Sequence, residues 1–395
     1  MKIAVVCGHF LPSMGYMEVY LAKEFFKLGH KVNVFTSDQV PAYLNAILQE
    51  PLKVGVTTHA ENGYTITRLK PWLSVGQMVI CKGLEDKVLE FKPNLVLVIG
   101  LGKLFPKPLL NGKKRSYKLI TLLGDNSDNH EPSKRKPILD SIKSSLKHPL
   151  YKKAIKHSDH IFSYTPETVS IVEKIIPNEL RPVLVDKNIN ISLGFDIEKF
   201  FLVEEECKLG REKLNIPEDD LILITATRII EHKRFENVIN FVDDYNKSGK
   251  VLHYVIIGFF EDEYGNQLKQ FIEEKEFSRR FHCFPFLDHE NVRELYLSAD
   301  FAYFPTAVIS IFEAMGTGLP VVLPNRPNVS HIVNEGETGW YFNENEFVQA
   351  IEKAAEQLSK IDRTKLKRKL AEINKTNYSY SKIAEGIIAE SFLVD

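Results

Sequence analysis

The chain has 395 residues, 26% charged and 44% hydrophobic, with a formal net charge of −1. That length exceeds what one hydrophobic core normally organises and suits two domains. The balanced charge excludes a global pull toward nucleic acid, so contact with a polyanion or a membrane has to come from a local patch.

The N-terminal run MKIAVVCGHF has one lysine and is interrupted at Gly8, unlike a secretory leader. No run of about 18 apolar residues suited to spanning a bilayer occurs. Ile3–Cys7, Val32–Thr36, Leu95–Ile99, Leu119–Leu123 and Ile161–Tyr164 are short apolar runs of the kind that form buried parallel strands. After the first, GYMEVYLAKEFFKLGHK carries Val19, Leu21, Ala22, Phe25, Phe26 and Leu28 near helical spacing and stops at Gly29. Strand and helix alternate as in a doubly wound α/β sheet. The first turn, CGHFLPSMG, is not the GxGxxG of a dinucleotide fold, and its Gly15 reads as a helix-start glycine. Asp125 follows the Leu119–Leu123 run, where ligands gather in such sheets or where an aspartate closes a turn. In and just before the stretch 134–156, Lys134, Arg135, Lys136, Lys143, Lys147, Lys152, Lys153 and Lys156 outnumber the acids Glu131 and Asp140, with Ile138, Ile142, Leu146 and Leu150 at near-helical spacing. It suits either a solvated face or an anionic membrane.

EEECKLGREKLNIPEDD reads as a polar linker or edge segment, and alternation restarts with LILITATR at Leu221. Arg228 leaves that strand's carboxyl end and Lys233 follows just before a helix, a pair of cations suited to a diphosphate. VLHYVIIG ends in Gly258, and RRFHCFPFL supplies a strand ending at Pro285 and Phe286. FAYFP, VISIFEAMG and GLPVVLP then read as strand, helix, strand, with the loop Thr306–Ser310 at a ligand-binding edge. Glu313, in the first turn of that helix, either favours the helix dipole or holds sugar hydroxyls. EFVQAIEKAAEQL and SYSKIAEGIIAESFL are amphipathic helices. Asp262 and Glu263 sit where a loop enters a helix, and no metal is assigned. Cys7, Cys81, Cys207 and Cys283 form no CxxC, which points to a reduced, cytoplasmic protein.

The segments FPT, IFEAMGTGLPVVLP and GETGWYF resemble the C-terminal half of retaining glycosyltransferases of the GT-B fold, in the large family four that uses nucleotide-sugars. SLGFDIEKFF, with Gly194, Asp196 and Phe200, resembles the stretch that closes the family's N-terminal domain. The resemblance implies two Rossmann-like domains, 1–200 and 201–375, with a final helix 376–395 returning to the first. It implies Glu313 on the donor ribose, Arg228 and Lys233 on the diphosphate, and amides of Ile309, Ser310 and Ile311 near the phosphates. Gly15 and Gly258 would admit the donor closely, and the loop of Phe286 would meet the nucleobase. Asp125 would touch donor or acceptor, although Gly124 stands where the family carries a histidine.

The implied reaction moves a sugar from a UDP- or GDP-sugar to a hydroxyl of a glycan or lipid-linked acceptor with retention, without metal or other cofactor. The implied place is the cytoplasm, peripheral to the inner face of the membrane through 134–156. A non-catalytic nucleotide-binding partner subunit and a nucleotide-sugar epimerase or hydrolase remain alternatives. Two further departures from the family pattern stand out. Lys233-Arg234 replaces a Lys-Gly pair, and Pro305 stands where a glutamate normally reads the donor sugar, which leaves Ser310, Thr306 or Asp125 to do so.

Overall fold

The computed structural model describes residues 1–40, 54–125, 148–259 and 262–393. The chain divides into two compact units, Met1–Ser192 with Ile383–Asp395, and Leu193–Lys382.

In the first unit the strands are β1 (Lys2–Cys7), β2 (Lys31–Ser37), β3 (Thr58–Glu61), β4 (Tyr64–Leu69), β5 (Pro71–Val75), β6 (Met78–Cys81), β7 (Leu95–Ile99), β8 (Lys118–Leu123), β9 (His160–Ser163) and β10 (Asn188–Asn190). Eight of them form a sheet in the order β10-β9-β8-β7-β1-β2-β4-β3, parallel but for the β3–β4 pair, while β5 and β6 form a separate antiparallel hairpin. All five residues of β7 are buried, as a strand covered on both faces requires. The helix Met17–Lys27 buries Val19, Leu21, Ala22 and Phe25, while Phe26 and Leu28, expected on the same face, stay exposed. It ends where Gly29 takes φ +82°, with the His30 amide donating to the Phe25 carbonyl and the Gly29 amide to that of Phe26. This pairing satisfies the last carbonyls and needs a residue that tolerates left-handed backbone. Because β2 lies on one side of β1 and β7 on the other, connections diverge there and open a crevice at the carboxyl ends of β1 and β7.

The second unit holds β11 (Leu221–Ala226), β12 (Leu252–Phe259), β13 (Phe281–Pro285), β14 (Phe301–Tyr303), β15 (Val321–Pro324) and β16 (Gly339–Phe342). Their order, β13-β12-β11-β14-β15-β16 with every pair parallel, is the 3-2-1-4-5-6 order of a dinucleotide fold, and its crevice lies at the ends of β11 and β14. Both units are therefore doubly wound α/β layers, as the sequence predicts.

Two expectations need correction. The supposed linker EEECKLGREK is the helix Glu204–Lys213, integral to the second unit. Its polar composition concealed Arg211, which donates through Nη1 to the Pro217 and Asp220 carbonyls and through Nη2 to Asp300 at 2.6 Å. Asp300 also accepts from the Ile222 amide and lies 3.1 Å from Arg363 Nη1. The second correction concerns the basic stretch, of which 134–147 falls outside the described residues. Over 148–157 it is helical, and Leu150, Tyr151, Ala154 and Ile155 enter the core of the first unit. Of the predicted apolar face, Leu150 is therefore consumed by the fold, while Ile138, Ile142 and Leu146 lie outside the described residues.

Removing one partner of a buried ion pair leaves the other charge desolvated, a loss of about 3–5 kcal/mol. Asp300→Ala therefore lowers the stability of the second unit on that scale in urea unfolding, because Arg211 and Arg363 both face the vacated carboxylate.

Candidate functional site

The predicted residues of the second unit gather on the carboxyl edge of its sheet. Beyond β11 the chain passes through Thr227 and Arg228 into the short 3-10 turn Glu231–Lys233. Lys233 folds back, its Nζ donating to Thr227 Oγ1 at 2.5 Å and to the Arg228 carbonyl at 3.1 Å. The residue is only 9% exposed. Burial pushes its ammonium down to about 8, and the neighbouring Arg228 guanidinium adds repulsion. Arg228 itself is exposed. One desolvated and one exposed cation at a strand end are a setting in which an anion is favoured. Arg234 takes φ +52° and ψ +50°, so the departure from Lys-Gly is a non-glycine residue in glycine's conformation.

Gly258, near the end of β12, has φ +112°, and a Cβ placed there would lie 2.1 Å from the Thr227 carbonyl oxygen. Its role is thus to let the backbone of β12 close on the turn that presents Thr227, Arg228 and Lys233. After β13, Phe286 stands 67% exposed while Leu287 packs against the core.

Past β14 a six-residue loop leads into the helix Ser310–Gly316. Glu313 lies in its first turn with a side chain 12% exposed. Burial raises the carboxyl to about 7, opposed by the charge of Lys199 and a hydrogen bond from Ser310. His289 Nδ1 is 3.9 Å from Glu313 Oε1. His289, burdened by burial and by Lys199, is pushed below the ordinary imidazole range. The Ile311 amide donates to the Val308 carbonyl, so of the three amides expected at the phosphates it is already engaged, and its side chain is core. The Ile309 and Ser310 amides have no backbone acceptor among the described residues. The Ser310 hydroxyl favours the charged form of Glu313.

Asp125 and Gly15 belong to the first unit. There, at the ends of β1, β7 and β8, lies a cavity of about 360 Å³ lined by Tyr16, Glu18, Lys103, Asp125, Tyr151 and Tyr164 among others. Asp125 is fixed by its side chain and its backbone. The Tyr151 hydroxyl lies 2.7 Å from both carboxylate oxygens, and Thr168 Oγ1 donates to its carbonyl. Burial, then the charge of Asp125, pushes the Tyr151 phenol far up, keeping it a donor. Burial also raises the Glu18 carboxyl, against the pull of Lys103. Gly124 makes room for Tyr164, whose ring would lie 2.4 Å from any Cβ there. Gly15 precedes Tyr16 without a positive φ, so backbone conformation does not demand a glycine.

Sequence reasoning missed Thr227, Lys199, His289, Glu18, Lys103 and Tyr151. Thr227 and Lys199 lie inside stretches that the sequence singles out, LILITATR and SLGFDIEKFF, without being marked there; His289, Glu18, Lys103 and Tyr151 sit in no motif and reach their places through the fold.

Residues 208–377 match the family model described as Glycosyl transferases group 1. Alpha-monoglucosyldiacylglycerol synthase of Acholeplasma laidlawii is 24% identical over 163 residues, which span 40% of this chain and 40% of that relative. Among solved structures, sucrose-phosphate synthase of Thermosynechococcus elongatus superimposes with a TM-score of 0.68 at 15% identity over 98% of each chain. HepE of Anabaena in complex with UDP gives 0.67 at 16% identity over 99% of each. WaaG, a glycosyltransferase involved in lipopolysaccharide biosynthesis, gives 0.62 at 15% identity over 98% of this chain and 99% of its own. The fold is GT-B.

A carboxyl held near 7 in the folded state and near 4.5 when unfolded favours folding fully below about 4.5, and that contribution is lost as pH rises through 7. Glu313→Gln therefore flattens the stability loss over this window, removing a decline of about 2–3 kcal/mol measurable by denaturant titration at each pH. For Lys233, held near 8 against 10.5, folding carries the desolvation penalty below 8 and sheds it as pH rises toward 10.5. Lys233→Met accordingly raises the melting temperature at pH 7, and the gain over the parent shrinks above pH 8.

Proposed function

We propose that this protein is a glycosyltransferase that takes a sugar from a nucleoside diphosphate donor and passes it to a hydroxyl of a glycan or lipid-linked acceptor. The observation that carries this reading is the buried Lys233 beside Arg228 at the carboxyl end of β11, on the same sheet edge as Glu313. The match of residues 208–377 to group 1 glycosyl transferases supports it. So does the likeness to a protein solved with UDP and UDP-glucose.

The ribose hydroxyls would donate to Glu313, whose charged form they favour. Phe286 offers an exposed aromatic face at the next strand end but one for the base. Arg228 and Lys233 would hold the two phosphates. As the bond from the anomeric carbon to the β-phosphate oxygen breaks, negative charge grows on the leaving diphosphate, and preorganised cations there stabilise the transition state more than the ground state. The acceptor oxygen bonds to the anomeric carbon, and its proton passes to the leaving phosphate, which gives retention without a protein base. The two cations supply the charge neutralisation, so the reaction is read as metal-independent.

With Pro305 in place of the sugar-reading glutamate, Thr306 and Ser310 are the hydroxyls at that loop for the donor sugar. The cavity around Glu18, Asp125 and Tyr151 is assigned to the acceptor, with donors and acceptors for a sugar or polyol. The relative named for a diacylglycerol glycolipid supports a lipid-linked acceptor, and we read the protein as cytoplasmic and peripheral to the membrane.

Arg228→Ala and Lys233→Ala each lower turnover by roughly 10²–10³, the scale of one lost transition-state donor, while binding of the bare nucleoside hardly changes. Glu313→Ala acts on the nucleoside itself, weakening nucleotide affinity about ten- to a hundredfold through the loss of a charged hydrogen bond. Calorimetry with UDP and GDP and a product assay with their glucose or mannose conjugates check both. Near-normal turnover in both cation variants would remove the proposal.

A further inference from the structure

The hairpin of β5 and β6 carries apolar side chains that the core of the first unit does not use. β6 buries Val79 and Cys81 in that core. Along β5, Trp72 is 65% exposed, Leu73 46% and Val75 57%. Leu73 pairs with Ile80 and Val75 with Met78, which places these four on the face opposite the buried Val79 and Cys81. Ile80 and Met78 are partly buried and pack against that core, so the exposed apolar surface of the hairpin is Trp72, Leu73 and Val75. A register shift between Pro71 and Leu73 takes Trp72 out of this alternation, and Lys82 Nζ stands 5.2 Å from its ring centroid. A contiguous apolar face of this kind marks an interaction surface.

Its chemistry selects the partner. From Lys70 to Gly83 the chain has two lysines, both exposed, and no aspartate or glutamate. Tryptophan is favoured at the headgroup level of a bilayer, aliphatic side chains lie deeper, and lysines at the base meet anionic headgroups. A symmetric pairing of two such hairpins would instead bring like charges together. The hairpin also stands beside the cavity of the first unit. The His9 ring lies 3.2 Å from the Gln77 carbonyl near the hairpin's tip, and Val79 and Lys103 both crowd Gly8, with Lys103 lining the cavity.

We propose that the hairpin Pro71–Cys81 docks the first unit on an anionic phospholipid surface, seating Trp72, Leu73 and Val75 among the headgroups and bringing the neighbouring cavity to the bilayer. Docking rests on the hairpin and does not depend on the glycosyl-transfer reading. Where both hold, a lipid-borne acceptor has its polar part delivered at the cavity.

The chain has two tryptophans, and Trp340 is 3% exposed, so Trp72 is the reporter of the surface. The full chain is mixed with phosphatidylcholine vesicles with and without phosphatidylglycerol, some made with brominated acyl chains. On anionic vesicles the emission moves to the blue and bromine quenches it, Trp72→Phe abolishes both changes, and added salt weakens binding. Leu73→Asp with Val75→Asp reduces vesicle co-sedimentation about tenfold or more, with an unchanged melting temperature since both side chains are exposed. Lys70→Glu with Lys82→Glu lowers it independently. Vesicle binding without quenching of Trp72 would overturn the proposal and assign docking to another surface. Absence of vesicle binding, or a lipid-free dimer that shifts Trp72 to the blue, would overturn it as well. Transfer to a water-soluble acceptor is unchanged in the Leu73→Asp, Val75→Asp variant, so failure of docking is distinguishable from failure of the transfer reading.

Discussion

The C-terminal unit depends on how closely the ends of β11 and β12 approach. Gly258 has no side chain, so the Thr227 carbonyl can sit where a Cβ would be. The ladder continues across the gap through the Thr227 amide on Ile257 and the Ile229 amide on Gly258. That fixes Thr227 and Arg228, whose hydroxyl and carbonyl in turn hold the Lys233 ammonium away from water. Arg234 completes the turn in left-handed backbone, at about 1–2 kcal/mol for a residue with a Cβ. Strain and desolvation collected at one turn are what a ligand site shows when geometry is held by its surroundings and not by the site's own stability.

The acid and the base of this edge are displaced by the same cause. Burial lifts Glu313 toward neutrality and lowers Lys233 toward neutrality. Each charged form would be relieved by a ligand that brings its complement, hydroxyl donors for the carboxylate and negative charge for the ammonium. A nucleoside diphosphate carries both on one scaffold. Perturbed groups of opposite sign at a topological switch point are therefore more informative together than either is alone.

The first unit follows the same topology with different chemistry. Its crevice holds tyrosines, Asp125 and the Glu18–Lys103 couple, where the second holds the buried Lys233 beside the exposed Arg228. Gly124 illustrates how a departure from a family pattern acquires a physical reason, since the ring of Tyr164 fills the space a side chain would need. Polar groups anchored by neutral phenols suit recognition of hydroxyls better than capture of phosphate.

Much of the architecture was legible in one dimension. Short β-branched runs and amphipathic stretches specify strand, helix and their alternation through local periodicity, so β1, β7, β11 and the helix ended by Gly29 fall where the residues say. Arg228, Lys233, Gly258 and Glu313 were legible too, because a strand's carboxyl end is a place that sequence order can name. The helix Glu204–Lys213 was not, since its burial depends on Arg211 meeting Asp300 far along the chain. Nor were the commitment of the Ile311 amide, the placing of Tyr151 on Asp125, or the exposure of Trp72, Leu73 and Val75. Periodicity reports how a residue relates to its neighbours in sequence; which polar group it meets, and which face is left uncovered, is set by strand order and by side chains arriving from elsewhere in the fold.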